Sequence, residues 1–416
     1  MLAVCGGVRT PFVRSFGKYT GMTADDLARA VFVETLARTG ADPAELDEVI
    51  LGCAGPPVEA MNIARVTALR SGVPEHVPAF SVHRNCASGI ESINQALLRV
   101  RANEGGGLVL AGGTESMSEA PFQLRPQSRR KLVAFFMAKG LGHKWSALRR
   151  LRPGDLMARE TIRTALTDPI SGLSMGDTAE VLAREFQISR EEQDQYAAES
   201  QQRSVQAREA GIFRDESLTC FLPPSFRRMV EHDDGLREGT TPEKLARLKP
   251  VFDRRFGTVT VGNACQITDG AAALLLGSMD RVQELGLPVL GLVRDVVNVG
   301  CDPKRMGLGP ALAIPKLLER NQLEPEQIDL YEINEAFAVQ VLACLKALGA
   351  AAPPRDRLNV NGGAIALGHP VGATGLRIVL TLLLSLRRRK LPLGVASLCV
   401  GGGQGAAVLL ENPEAA

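Results

Sequence analysis

The feature that most constrains this chain is a strand–helix alternation that occurs twice and each time closes on glycines. Ala79-Phe80-Ser81-Val82 reads as a strand, Ser88 to Arg101 as a helix, and Leu108-Val109-Leu110-Ala111-Gly112-Gly113 as a second strand. Near the other end, Leu358-Asn359-Val360-Asn361 leads through a glycine-rich turn into a helix over Gly375 to Arg388. Val395 to Val400 then forms a strand that stops at Gly401-Gly402-Gly403. Short apolar runs separated by helical periodicity belong to sheets buried between helices. Val49-Ile50-Leu51-Gly52-Cys53, Leu330-Tyr331-Glu332-Ile333-Asn334 and Ala406-Ala407-Val408-Leu409-Leu410 add strands, and Ala336 to Leu348 adds a helix. The expectation is an α/β fold with two related core halves.

Between the halves, roughly 120–250, the chain is more polar and helix-rich, and reads as an insertion in the first half. Strand-like sequence resumes at Thr258-Val259-Thr260-Val261 and at Ala271 to Leu276. The insertion holds a charge asymmetry. No acidic residue occurs between Glu119 and Asp155, whereas Arg125, Arg129, Arg130, Lys131, Lys139, Lys144, Arg149, Arg150 and Arg152 lie there. Leu132, Phe135 and Phe136 share one helical face, as do Leu141, Trp145 and Leu148. Such a stretch, 123–152, can lie on an anionic membrane surface or dock on a partner, or it can pack on its own domain with a solvated Arg face.

Charge and cysteine usage exclude several classes. The formal charge of +2 argues against a dedicated nucleic-acid binder. No apolar run is long enough to span a bilayer, and the start, Met1-Leu2-Ala3-Val4-Cys5-Gly6-Gly7, lacks the pattern of an export signal. A cytoplasmic location is therefore expected. The excess of Arg over Lys hints at a bacterial source. The eight cysteines are scattered without a Cys-x-x-Cys pair, which points away from zinc sites and disulfide frameworks.

Four constellations could carry chemistry. In Asn85-Cys86-Ala87-Ser88-Gly89 a cysteine meets a helix N-terminus, whose dipole and N–H groups favour thiolate. From Asn359 to Gly375 dense glycines frame His369, one of only five histidines. In Cys399-Val400-Gly401-Gly402-Gly403-Gln404 a cysteine ends a strand at a turn whose N–H groups can face a carbonyl. Asn334-Glu335-Ala336-Phe337 follows a strand. Each has a bland counterpart: a buried structural cysteine, an ordinary glycine turn, or Asn334 as a helix N-cap. None is a Walker loop or a dinucleotide fingerprint. Together they supply the inventory for Cys–His acyl transfer.

These four motifs, in this order, resemble the thiolase family over essentially the whole chain. Gly257-Thr258-Val259-Thr260, Thr268-Asp269-Gly270-Ala271-Ala272 and Met306-Gly307-Leu308-Gly309-Pro310 add lesser landmarks. The resemblance implies two similar βαβαβαββ core halves in a five-layer αβαβα arrangement with an inserted helical loop domain. The implied boundaries are 1–120 with 251–285 for the first half, 121–250 for the insertion and 286–416 for the second half. Arg130-Lys131-Leu132, the run Leu151 to Met157 and Met175-Gly176-Asp177-Thr178-Ala179-Glu180 look most like the thiolase subunit of fatty-acid β-oxidation complexes. In those complexes a partner subunit carries hydratase and dehydrogenase activities.

Carried over by motif, Cys86 matches the acylated nucleophile, His369 its base, and Cys399 the acid/base that protonates the departing carbanion. Asn334 would hold a water beside His369 in one oxyanion site, and the N–H groups of Cys86 and Gly401 would form the other. Met175, Val261, Cys265, Met306 and Phe337 match the surface that meets CoA and the acyl chain. Val261 and Cys265 stand where many members have Ala and Ser, and Gln404 stands where Met or Leu is frequent. The resemblance further implies acyl-CoA and CoA as substrates, no separate cofactor, and a homodimer or larger assembly. The competing expectations are a biosynthetic acetoacetyl-CoA thiolase, a decarboxylating condensing enzyme of the same fold, and a non-catalytic acyl-CoA-binding or scaffold subunit. The condensing enzyme fits poorly with a second cysteine, and the scaffold predicts loss of at least one of the four landmark residues.

Overall fold

A computed structural model describes residues 1–102, 107–159 and 161–415. Two compact units are distinguished: Met1–Glu119 together with Asp168–Ala416, and Ala120–Thr167.

The larger unit is organised by one mixed sheet. Its principal strands are β1 Leu2–Arg9, β2 Glu48–Cys53, β3 Ala79–Val82, β4 Leu108–Glu115, β5 Thr268–Gly277, β6 Gly291–Gly300, β7 Leu330–Ile333, β8 Leu393–Val400 and β9 Gln404–Glu411. The order across the sheet is β7-β8-β9-β6-β1-β5-β4-β2-β3. The repeat is written in this order. In the first half β2 runs parallel to β4, β4 antiparallel to β5, and β5 antiparallel to β1. In the second half β7 runs parallel to β8, β8 antiparallel to β9, and β9 antiparallel to β6. The halves meet where β1 pairs β6. Both strands at that seam carry a register shift, between Val4 and Gly6 on β1 and between Val293 and Asp295 on β6. Bulges of this kind raise local twist and bend a sheet.

The helices of this unit are α1 Ala24–Thr39, α2 Ile63–Arg70, α3 Ser88–Ala102, α6 Met175–Glu185, α7 Arg190–Glu209, α8 Gly309–Arg320, α9 Ala338–Leu348 and α10 Thr374–Arg389. The smaller unit holds α4 Pro126–Met137 and α5 Leu141–Leu148. Three packed layers of side chains account for most of the core. One joins α1 and α2 to the first half-sheet, one joins α7, α8 and α9 to the second, and between them α3 and α10 share a core with strands of both halves. The sequence of α10 suits a central position. Leu376, Ile378, Val379, Leu380, Leu382, Leu383 and Leu386 are all buried, which a one-faced surface helix could not achieve. At roughly 1.5–3 kcal/mol for each buried aliphatic side chain, this helix alone contributes on the order of 10 kcal/mol or more of apolar burial.

The N-termini of α3 and α10 touch, and glycine makes that possible. A Cβ at Gly375 would lie 2.5 Å from the Ile90 nitrogen, and one at Gly89 would lie 2.9 Å from both the Gly372 oxygen and the Leu376 nitrogen. This contact sets the Cys86 turn against the loop that carries His369.

Most expected elements stand where apolar periodicity put them, but two do not. Thr258–Val261 is not a strand, because the buried Glu180 carboxylate takes the N–H groups of Thr258 and Val259 that a ladder would need. The Leu358–Asn361 segment makes only isolated bridges. Asn359 replaces the ladder there. Its amide accepts from the Ile333 N–H at 2.9 Å and donates to the Ile333 carbonyl at 2.9 Å.

In the smaller unit, α4 and α5 are described by themselves. Lys131 Nζ is 2.7 Å from Asp155 Oδ2, and the Arg149 guanidinium lies 5.6 Å from the centre of the Trp145 ring. Phe135, Leu141, Gly142, Lys144, Trp145 and Leu148 line an open hollow. Leu141 and Trp145 are exposed, as are Phe136 and Met137. Among the described residues, no helix is long and apolar enough to cross a membrane.

Candidate active site

Cys86 sits in the turn between β3 and α3. Asn85, just before it, holds φ +43°, a left-handed conformation that a non-glycine residue adopts only when its surroundings demand it. The turn is closed by hydrogen bonds from Ala87 N to Arg84 O and from Ser88 N to Asn85 O. Burial pushes the Cys86 thiol up, and the backbone N–H groups of Gly401 and of Cys86 itself, both facing the sulfur, pull it back. Burial prevails. The resting group is therefore a thiol, although the helix N-terminus alone would favour thiolate.

His369 follows the left-handed Gly368 and is buried. Its Nδ1 is 2.6 Å from the Thr374 hydroxyl, which donates its single proton to the Pro370 carbonyl at 2.8 Å. Thr374 Oγ1 can then only accept from the ring, so Nδ1 carries the hydrogen and Nε2 carries the lone pair. Nε2 is buried with no hydrogen-bond partner in the protein. Burial, reinforced by the Arg377 guanidinium, lowers the His369 pKa to about 4. A neutral imidazole with a free Nε2 is a base ready to take a thiol proton.

Cys399 ends β8 and is buried in an apolar cluster with Met306 and Phe337, against which Met175 packs. Burial holds its thiol well above the usual range, and the thiols of Cys86, Cys344, Cys265 and Cys301 press it the same way. Four other cysteines thus act on the Cys399 thiol, where the sequence singles out two cysteines with a doubtful third, Cys265. The turn that follows, Gly401-Gly402-Gly403, needs glycine because φ is +90° at Gly402 and +81° at Gly403. A Cβ at Gly401 would stand 3.3 Å from Met175 Sδ, so Met175 lies against the turn.

Asn334 is not a helix N-cap. Helix α9 starts later, with Phe337 at its cap position. The Asn334 amide is buried, and neither Nδ2 nor Oδ1 has a partner in the protein. A buried amide in that condition costs about 1–3 kcal/mol, which argues for a role other than stability. Its neighbour Glu335 is the opposite case. Its carboxylate accepts from Tyr196 Oη at 3.0 Å, Ser200 Oγ at 2.7 Å, Asn359 Nδ2 at 3.0 Å and Ile365 N at 3.2 Å. It pins the glycine loop of His369 to α7. Cys265 is tied to the same segment through its N–H to the Ala336 carbonyl, and its thiol, pushed up to about 12 chiefly by burial, feels Cys86. Val261 faces solvent and lies outside the apolar cluster that holds Met175, Met306 and Phe337.

Two positioning groups have no signature of their own in the sequence. Glu115, at the end of β4, is buried and accepts from the N–H groups of Ala54, Gly55 and Gly372. Burial raises it to about 7, and those N–H groups hold it back. Thr374 fixes the His369 tautomer. Glu335 stands within a noticed motif, but its partners lie far away in the chain. Among the described residues, no group of three or more His, Cys, Asp or Glu is placed to hold a metal ion.

Comparison with known proteins places the sequence and the fold in one family. The family model described as the thiolase N-terminal domain matches residues 2–280, and that of the thiolase C-terminal domain matches residues 287–412. The chain is 40% identical to a probable acetyl-CoA acyltransferase of Staphylococcus epidermidis, over 98% of this chain and 97% of that one. It is also 40% identical to an acetyl-CoA acetyltransferase of Pseudomonas aeruginosa, over 99% of each. Among solved structures, human mitochondrial 3-ketoacyl-CoA thiolase in complex with CoA superposes with a TM-score of 0.88 at 37% identity, covering 99% of this chain and 98% of the other. The chain belongs to the thiolase family.

Proposed function

We propose that this protein cleaves 3-ketoacyl-CoA with CoA, giving acetyl-CoA and a shortened acyl-CoA, as an acetyl-CoA C-acyltransferase of fatty-acid β-oxidation. The observation that carries the reading is a convergence. The N–H groups of Cys86 and Gly401 face one sulfur, while His369 Nε2 and the Asn334 amide are buried without partners in the protein.

His369 Nε2 takes the Cys86 proton as Sγ attacks the 3-keto carbon. The oxygen that gains charge lies toward the Cys86 and Gly401 N–H groups. The bond between C2 and C3 then breaks, and its electron pair moves into the enolate of acetyl-CoA. That enolate oxygen is served by His369 and a water held by Asn334. Cys399 gives its proton to C2, and acetyl-CoA leaves. Incoming CoA loses its thiol proton to the Cys399 thiolate and attacks the acyl carbon. The bond to Cys86 Sγ breaks, and His369 returns the proton. Donors of this kind typically contribute about 10²–10³ each in rate. CoA is a substrate, and the steps call on no separate cofactor.

Met175, Met306 and Phe337 form the apolar wall beside Cys399 and suit an acyl chain. A biosynthetic enzyme that condenses two acetyl units would use the same residues. Thiolysis kcat/KM across 3-ketoacyl-CoA from C4 to C16 separates them. A maximum at C8 or longer supports the degradative reading, and activity confined to C4 overturns it.

The segment 123–152 is assigned to an anionic membrane surface, supported by its basic excess and by the exposed Phe136, Leu141 and Trp145. Co-sedimentation should be several-fold greater with vesicles containing anionic lipid than with neutral vesicles, and equal binding would contradict the assignment. We place a second copy of the chain at the sheet edge formed by β3, the last strand in the sheet order. A hydratase/dehydrogenase partner subunit and a cytoplasmic location complete the reading.

A further inference from the structure

The glycine turn that carries the Gly401 N–H has no side chain of its own from residue 401 to 403, so its stiffness must come from neighbours. On one side, the Gly403 N–H donates to Val400 O at 3.2 Å, and the Gly403 carbonyl accepts from Cys301 N at 2.8 Å. On the other side, two side chains from the nucleophile turn reach across from the first half. Asn85 Nδ2 donates to the Gly401 carbonyl at 2.7 Å. The Arg84 guanidinium donates through one NH group to Gln404 Oε1 at 2.9 Å and through Nε to Glu91 Oε2 at 2.8 Å. Glu91 lies one turn into α3 and is itself held by Gln95 at 2.7 Å. Gln404 is the first residue of β9, in register with Val400 and Gly300.

The two straps start from adjacent residues, 84 and 85, and end on either side of the turn, at 401 and 404. The N–H groups of Cys86 and Gly401, which face Cys86 Sγ, belong to the two turns that these straps join. A fork of this kind fixes the turn against sliding and against rotation, which one hydrogen bond alone would allow. Arg84 is well suited to it, because a planar guanidinium anchored on Glu91 has little freedom left at its second NH group.

We infer that Arg84 and Gln404 are positioning residues that hold the Gly401 N–H in line with the Cys86 N–H, so that the pair forms a rigid oxyanion site across the two halves. This rests on the reading of Cys86 as the acylated nucleophile. Electrostatic catalysis of this type depends on donors held in place before charge develops, and small misplacements are expensive. Neither residue touches the reacting atoms.

The test compares Gln404→Leu, which breaks the strap, with Gln404→Glu, whose carboxylate can still accept from Arg84. Acylation is followed by single-turnover kinetics with a 3-ketoacyl-CoA. Gln404→Leu is expected to lower the acylation rate about tenfold while leaving KM for CoA and the melting temperature unchanged, and Gln404→Glu to restore the rate to within about threefold. Arg84→Met should lose a similar factor, and the double variant Arg84→Met with Gln404→Leu should lose no more than either alone. Equal rates for Gln404→Leu and the parent, or multiplicative losses in the double variant, overturn the inference. Cys86→Ala serves as the separate control. If that variant is still acylated, the nucleophile reading fails. If it is silent while Gln404→Leu is unaffected, only the strap fails.

Discussion

The two core halves share a strand order yet treat equivalent positions differently. At the end of β4, the first half places Glu115, whose carboxylate gathers three backbone N–H groups and holds loops together. At the end of β8, the second half places Cys399, followed by three glycines, the first of which turns its N–H toward the Cys86 sulfur. The helices α3 and α10 also correspond. Before α3 stands the thiol of Cys86, and before α10 the imidazole of His369. A repeat can therefore supply two matching frames whose contents divide one reaction between them. In the proposed mechanism the nucleophile comes from the first half, and the base and the acid from the second. Close contact through Gly89 and Gly375 makes the division workable.

The sharpest way to break this comparison is at Asn334 and Glu335, adjacent residues to which the account gives opposite duties. Asn334→Ala should lower carbon–carbon cleavage by about 10²–10³ while leaving the melting temperature level or slightly raised, since a buried unpartnered amide is removed. Paired kcat and thermal-melt measurements check both parts. Glu335→Gln should instead destabilise the fold by about 2–4 kcal/mol, because an amide replaces a carboxylate that accepts from four donors. Denaturant midpoints read this directly. Any loss of activity should follow the loss of folded protein.

A smaller effect concerns pH. With the folded His369 pKa lowered to about 4, the base stays neutral well below the ordinary histidine value. The acid limb of acylation kcat/KM should thus lie well below pH 6.5. The same shift favours the folded state above the unfolded value, and this contribution is lost as pH falls from 6.5 toward 4. A limb centred near 6.5 would show that burial does not tune this residue.

The sequence displays the paired strand order and the four chemical motifs because both are local. Apolar runs announce buried strands, and glycines announce tight turns around Cys86, His369 and Cys399. What it hides depends on distant partners. Glu335 resembles part of a motif, and its meaning rests on Tyr196 and Ser200 in a helix more than a hundred residues earlier. Thr258-Val259-Thr260-Val261 has the β-branched content of a strand, yet the Glu180 carboxylate captures its N–H groups. The straps from Arg84 and Asn85 cross more than three hundred residues. Likewise, the influence of four other cysteines on the Cys399 thiol follows from folding and not from spacing.

The division of labour between the halves is tested most directly by intact-mass analysis of two variants after exposure to an acyl-CoA and to its 3-ketoacyl-CoA counterpart. The account predicts that Cys399→Ala gains one acyl mass from acyl-CoA yet releases no acetyl-CoA from the 3-ketoacyl substrate, and that Cys86→Ala gains no acyl mass from either. Acylation of Cys86→Ala, or normal cleavage by Cys399→Ala, would contradict it.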